Sequence, residues 1–132
     1  MVKNCQATAI PRILLVEDDA IFQLLGRNFL KRLGCSYNVT KKGKIALKTF
    51  DQYDLIILDI GLPDINGMEV CEIIRAKNKN LPIIALTATV TDEILDSCKK
   101  VGFNDFFLKP IDAFTLGVII KKYLPSYYAV CN

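Results

Sequence analysis

The chain has 132 residues, of which 52% are hydrophobic and 23% charged, with a net charge of +3 and no histidine. These values fit one globular domain with a generous core and exclude intrinsic disorder. The modest charge argues against a nucleic-acid-binding stripe, and the missing histidine excludes Ser-His-Asp and Cys-His catalysis within the chain.

Residues 1–8 lack the hydrophobic core of a signal peptide. No apolar run approaches the roughly 20 residues of a membrane span. A cytoplasmic protein without membrane contact is expected. Residues 12–16 form an apolar run of strand length that ends in Glu17-Asp18-Asp19. Residues 20–33 carry Ile21, Leu24, Leu25 and Phe29 at helical spacing, with Asp18 or Asp19 as the N-terminal cap and Gly34 as the stop. Residues 36–40 predict a second strand and residues 43–50 a short helix. The basic cluster Lys41-Lys42-Gly43-Lys44 at that helix start is expected to be solvated.

Leu55 to Asp59 predicts a third strand, apolar without alternation and so buried on both faces. A turn-rich loop, Gly61 to Gly67, leads into a helix over residues 68–77. Residues 82–87 predict a fourth strand and residues 91–101 a fourth helix closed by Gly102. Residues 105–108 predict a fifth strand. Lys109-Pro110 forms a turn before a last amphipathic helix over residues 112–124.

Strands alternating with helices imply an α/β fold with a parallel sheet covered on both faces. Right-handed crossovers make it doubly wound, with ligands expected at the carboxyl ends of the strands. The expected organisation is an N-terminal extension over 1–11, one domain over 12–124 and a tail over 125–132. Cys5, Cys35, Cys71, Cys98 and Cys131 are far apart in sequence. They are expected to be free thiols, with Cys71 and Cys98 on the core side of helices.

Glu17, Asp18, Asp59, Thr87 and Lys109 all lie at strand ends on that edge. Alone, each has a bland reading as a cap, a turn or a loop residue. Together they form a chemical set. Two like charges about 4 Å apart repel by roughly 4 kcal/mol at an effective dielectric near 20. Three converging carboxylates therefore take up protons or recruit a cation. With hard oxygen ligands and neither paired Cys nor His, Mg²⁺ fits best. A metal, a lysine and a hydroxyl around one carboxylate suit phosphoryl transfer, with Asp59 as nucleophile and Glu17 and Asp18 as metal ligands.

Four segments then carry a resemblance that covers about residues 11 to 124. They are Ile13 to Asp19, Leu58 to Gly67, Ala85 to Ala88, and Phe106 to Pro110. The chain resembles the receiver domain of two-component response regulators. That resemblance implies a flavodoxin-like five-stranded parallel sheet of order 2-1-3-4-5 with five helices. It implies Asp59 as phosphoacceptor, and Glu17, Asp18, Asp59 and the Gly61 backbone carbonyl as Mg²⁺ ligands. Thr87 and Lys109 contact the phosphoryl group, the proline after Lys109 is often cis, and Phe106 is the switch aromatic.

Gly61 stands where many members have Met, and Phe106 lacks a tyrosine hydroxyl. Val16 to Gln23 and Gly102 to Phe106 are similar to receivers of hybrid histidine kinases, although Phe22 stands where that subclass often has Asn. The implied partners are a histidine kinase or a histidine phosphotransfer domain, with no direct nucleic-acid contact. Either a stand-alone receiver or the receiver of a hybrid kinase is compatible. Residues 1–124 leave no room for an output domain, so output is expected elsewhere.

Two other classes have weaker support. An aspartyl-nucleophile phosphatase on a similar fold resembles an Asp-x-Asp pattern, which Asp59-Ile60-Gly61 lacks. A flavin or nucleotide module would want a glycine-rich phosphate cradle after the first strand, where Glu17-Asp18-Asp19 stands instead.

Overall fold

A computed structural model describes residues 10–126 of the chain. The remainder of the expected N-terminal extension and C-terminal tail, with Cys5 and Cys131, lies outside the described residues. The elements alternate as the sequence predicts. They are β1 (Arg12–Val16), α1 (Ala20–Arg32), β2 (Ser36–Thr40), α2 (Gly43–Thr49), β3 (Leu55–Asp59), α3 (Gly67–Lys77), β4 (Ile83–Thr87), α4 (Asp92–Val101), β5 (Asp105–Leu108) and α5 (Ala113–Tyr123). A 3₁₀ turn over Phe50–Gln52 follows α2, where the sequence predicted one more residue of helix.

The sheet is parallel throughout, in the order β2-β1-β3-β4-β5. Alternate residues of β1 and β3 supply two separate cores. Leu14, Val16, Ile56 and Leu58 pack with α2, α3 and α4. Ile13, Leu15, Leu55 and Ile57 pack with α1 and α5. Both faces are covered, so residues 13–16 of β1 and 55–58 of β3 are apolar at every position rather than every second one. Each fully buried Leu or Ile contributes roughly 1.5–3 kcal/mol. Four such residues in β3 offset the cost of ending that strand in a buried carboxylate. Cys71 and Cys98 lie in the first core as expected, and burial pushes the Cys71 thiol up to about 12.

The face of α1 differs from its expectation. Ile21 is 69% exposed and Leu24 57%, while the buried residues of the helix are Gly26 and Leu30. The cause is a close approach: a Cβ on Gly26 would collide with Cδ2 of Leu15 in β1. The helix rests on the sheet through this close contact together with buried Leu30, and Phe29 of the expected face packs against the same core. No helix among the described residues is long and apolar enough to cross a membrane.

Candidate functional site

Strand order reverses between β1 and β3, and the carboxyl edge at that point is where an open α/β sheet leaves a crevice. A cavity of about 420 Å³ opens there, with Glu17, Asp18, Asp59, Thr87 and Lys109 in its walls. All five sequence candidates converge, and β1, β3, β4 and β5 each deliver at least one.

Glu17 is held by pairing that continues past β1. Its N–H donates to the Thr40 carbonyl at 2.9 Å, and its own carbonyl accepts from Gln23 Nε2 at 2.6 Å. The carboxylate is fully buried. Its Oε2 accepts from the Asp19 N–H at 3.0 Å. Its Oε1 stands 2.8 Å from Lys109 Nζ, close enough for an ion pair but without the alignment of a good hydrogen bond. Asp59 Oδ1 accepts from the Gly61 N–H at 2.9 Å, and Oδ2 accepts from Lys109 Nζ at 2.9 Å.

The electrostatics follow from burial. Desolvation pushes the Glu17 carboxyl up, against the lowering effect of Lys109 and the Asp19 N–H, and the Asp59 charge adds to the rise. Burial works to lower the Lys109 ammonium, but contacts with Glu17 and Asp59 together outweigh it and its pKa is raised. One lysine thus serves two carboxylates.

One carboxylate oxygen each from Glu17, Asp18 and Asp59 lies within 4.8 Å of the others. Asp18 is exposed, while the other two are buried. The poorly satisfied Glu17 Oε1 and the all-oxygen donor set fit a hard divalent cation. The loop beyond Asp59 tolerates Gly61 without requiring it, since a Cβ there would meet Asp59 Oδ1 at an ordinary 3.6 Å.

Thr87 is 2% exposed. Its hydroxyl donates to the Thr89 carbonyl and accepts from the Thr89 N–H, so it faces its own loop. The Lys109-Pro110 peptide is cis. Phe106 sits on β5 opposite Ala85, 37% exposed, beside a groove of about 220 Å³ between α4 and β5.

Neither Phe22 nor Asp64 carries a site role in the sequence reading. The Phe22 ring lies over Lys109, with Nζ 4.9 Å from the ring centroid. Asp64, in the loop after β3, accepts from the N–H groups of Gly43 and Lys44 at 3.0 and 3.1 Å. It thereby caps α2, whose own cap position, Lys42, makes no side-chain bond. No local pattern announces either contact, because both join separate elements.

The model of the response regulator receiver domain family matches residues 13–121. The chain belongs to this family. It is 34% identical over 122 residues to the transcription factor SKN7 of Saccharomyces cerevisiae, covering 91% of this chain and 20% of that protein. It is 32% identical over 122 residues to hybrid signal transduction histidine kinase F of Dictyostelium discoideum, covering 86% of this chain and 11% of that protein. The chain therefore spans a fifth or less of the length of these two relatives.

Among solved structures, the receiver domain of the sensor histidine kinase PA1611 of Pseudomonas aeruginosa superposes with a TM-score of 0.81. It shares 31% identity, over 89% of this chain and 99% of that one. That receiver has a magnesium ion coordinated in its active-site cleft. The receiver fold is thus present in this chain together with an acidic cluster able to coordinate metal and phosphate, consistent with a phosphate-accepting receiver.

Proposed function

We propose that this receiver, spanning residues 12–124, accepts a phosphoryl group on Asp59 from a phosphohistidine of a partner histidine kinase or histidine phosphotransfer domain. The observation that carries the reading is the placement of Asp59 at the switch point, bonded to Lys109 and within 4.8 Å of the Glu17 and Asp18 oxygens. A carboxylate oxygen of Asp59 bonds to phosphorus while the donor N–P bond breaks. Its electron pair returns to the imidazole, which takes up a proton.

Glu17, Asp18, Asp59 and the Gly61 carbonyl would hold Mg²⁺. When bound, that ion supplies positive charge against the transferred oxygens. Lys109 moves its ammonium contact from the carboxylate to the phosphoryl group. The Thr87 hydroxyl leaves the Thr89 loop to hydrogen-bond a phosphoryl oxygen. Phe106, on the strand next to Thr87, follows that movement inward. The surface formed by α4, β5 and α5 then shifts population and is read by a partner protein.

The site lacks the second Asp of the phosphatase alternative: position 61 is glycine. The histidine kinases among the relatives named above support a place in a phosphorelay, and this reading puts the receiver in the cytoplasm, within a hybrid kinase or standing alone. Intact-mass measurement after incubation with acetyl phosphate and Mg²⁺ tests the assignment. One phosphoryl group is expected on the wild-type chain and none on Asp59→Asn. Equal labelling of the two proteins would place the phosphoryl group elsewhere.

A further inference from the structure

Phe22 is an aromatic residue in the wall of the cavity that also holds Asp18, Asp59 and Lys109. Its position is not incidental. It lies in the first turn of α1, and its own N–H donates to the capping Asp19 carboxylate at 3.1 Å. The next residue, Gln23, is tied to the Glu17 carbonyl. Two bonds therefore pin this turn to the carboxylate edge. They aim Phe22 at the site, while its neighbour Ile21 points to solvent. The ring ends up over the Lys109 ammonium, at a distance where its negative face attracts a cation.

An apolar ring at that point has a chemical consequence. The acyl phosphate is lost when a water oxygen bonds to phosphorus and the bond from phosphorus to the Asp59 oxygen breaks. Inorganic phosphate and the Asp59 carboxylate result, and one proton passes to solvent. That attack is fastest when a side chain accepts from or donates to the water and orients it. Phe22 offers no such group on the α1 side, and it excludes water from the volume its ring fills.

We infer that Phe22 is a positioning residue that lengthens the life of the phosphorylated state, by denying the hydrolytic water a polar anchor and by seating Lys109 against Asp59. This rests on the receiver reading above and adds to it a determinant of signal duration. The polarity of position 22, more than its size, then sets the rate of loss.

The test uses the full chain, phosphorylated with acetyl phosphate and Mg²⁺, freed of donor, and followed by intact mass. Phe22→Gln is expected to shorten the phosphoryl half-life by about two- to tenfold, the scale of one net hydrogen bond to the attacking water. Phe22→Leu, apolar but without a π face, retains a half-life within about twofold. A second measurement needs neither metal nor phosphate. In the unphosphorylated wild-type chain the ε-methylene protons of Lys109 show an NMR ring-current shift, and this shift is lost in Phe22→Leu.

Half-lives in Phe22→Gln equal to or longer than wild type would overturn the inference. So would a wild-type Lys109 with no ring-current shift. In both cases the receiver assignment stands as long as the wild-type chain is labelled on Asp59. A wild-type chain that takes no phosphoryl group at all overturns both.

Discussion

The Lys109 ammonium stands 2.8 Å from a Glu17 carboxylate that water does not reach. Lys109 also holds Asp59 at 2.9 Å, so a single positive side chain balances two buried negative ones. The proposed metal binding and phosphoryl transfer would both begin from this arrangement, because each adds or moves charge within it.

Removal of that cation should therefore be costly. Lys109→Met is expected to lower stability by about 3 kcal/mol at pH 7, the scale for stranding a buried charge. The loss depends on pH with a definite sign. Burial already raises the Glu17 carboxyl above its ordinary value of 4.5, and without Lys109 it rises further. The folded state then binds more protons than the unfolded state above pH 4.5, so the variant becomes more stable as pH falls toward that value. Urea denaturation at pH 7 and pH 5 measures it. A deficit that is the same at both values would show that Lys109 does not govern Glu17.

Divalent cation should relieve the same strain in the wild-type chain. At a hundredfold excess of Mg²⁺ over its dissociation constant, linkage contributes about 2.7 kcal/mol. For a domain of this size that raises the midpoint of thermal unfolding by roughly 8 °C. Asp18 is exposed and makes no contact with Lys109, so Asp18→Asn should leave the metal-free protein about as stable as wild type while reducing the Mg²⁺ shift. Thermal denaturation with EDTA and with Mg²⁺ separates these two effects.

These expectations rest on residues that were legible before the structure, and the reason is physical. Strands buried on both faces appear as unbroken apolar runs, and the expected strands over residues 55–59 and 82–87 match the observed β3 and β4 to within one residue. Their polar terminators then mark the site edge. The seat of α1 was legible only in part. Phe29 of the expected face packs against the core, but Ile21 and Leu24 are exposed and the closest approach to the sheet is at Gly26. Hydrophobic periodicity detects side chains, whereas that approach depends on the lack of one. The roles of Phe22 and Asp64 were hidden for a different reason: each depends on an element far away in sequence.

Asp64 supplies a prediction of its own. Desolvation pushes its carboxyl up, but the N–H groups of Lys44 and Gly43 with two others outweigh it and hold it below its ordinary 3.8. A depressed carboxyl stabilises the fold above pH 3.8 and ceases to do so as pH falls through the lower folded value. Asp64→Ala should cost about 1 kcal/mol near neutrality, as for a lost helix cap. Lys42 already has the extended backbone of a cap residue, so adding Lys42→Asn should restore much of that stability. It should not restore Mg²⁺ affinity, because the loop carrying Gly61 stays untethered. Isothermal titration of the single and double variants with Mg²⁺ decides whether Asp64 acts on the loop or only on the helix.

The tightest backbone approach at the site involves Gly67, the first residue of α3. A Cβ there would collide with the Asp59 carbonyl oxygen and lie 2.6 Å from the Ile60 Cα. Both obstacles are backbone, and the Gly67 N–H also donates to the Ile60 carbonyl at 3.1 Å. Neither can yield as a flexible side chain would. Gly67→Ala should therefore destabilise the fold by about 1–3 kcal/mol or more. It should also displace Asp59 relative to Glu17, widening the carboxylate cluster. Gly61→Ala is the control, because its Cβ enters ordinary contact distance and its φ is not positive. Chemical denaturation is expected to separate the two variants clearly, and Mg²⁺ titration to show weakened binding in Gly67→Ala. Equal stability in both would mean that α3 can slide away from β3 without cost, and that the helix start does not fix the position of Asp59.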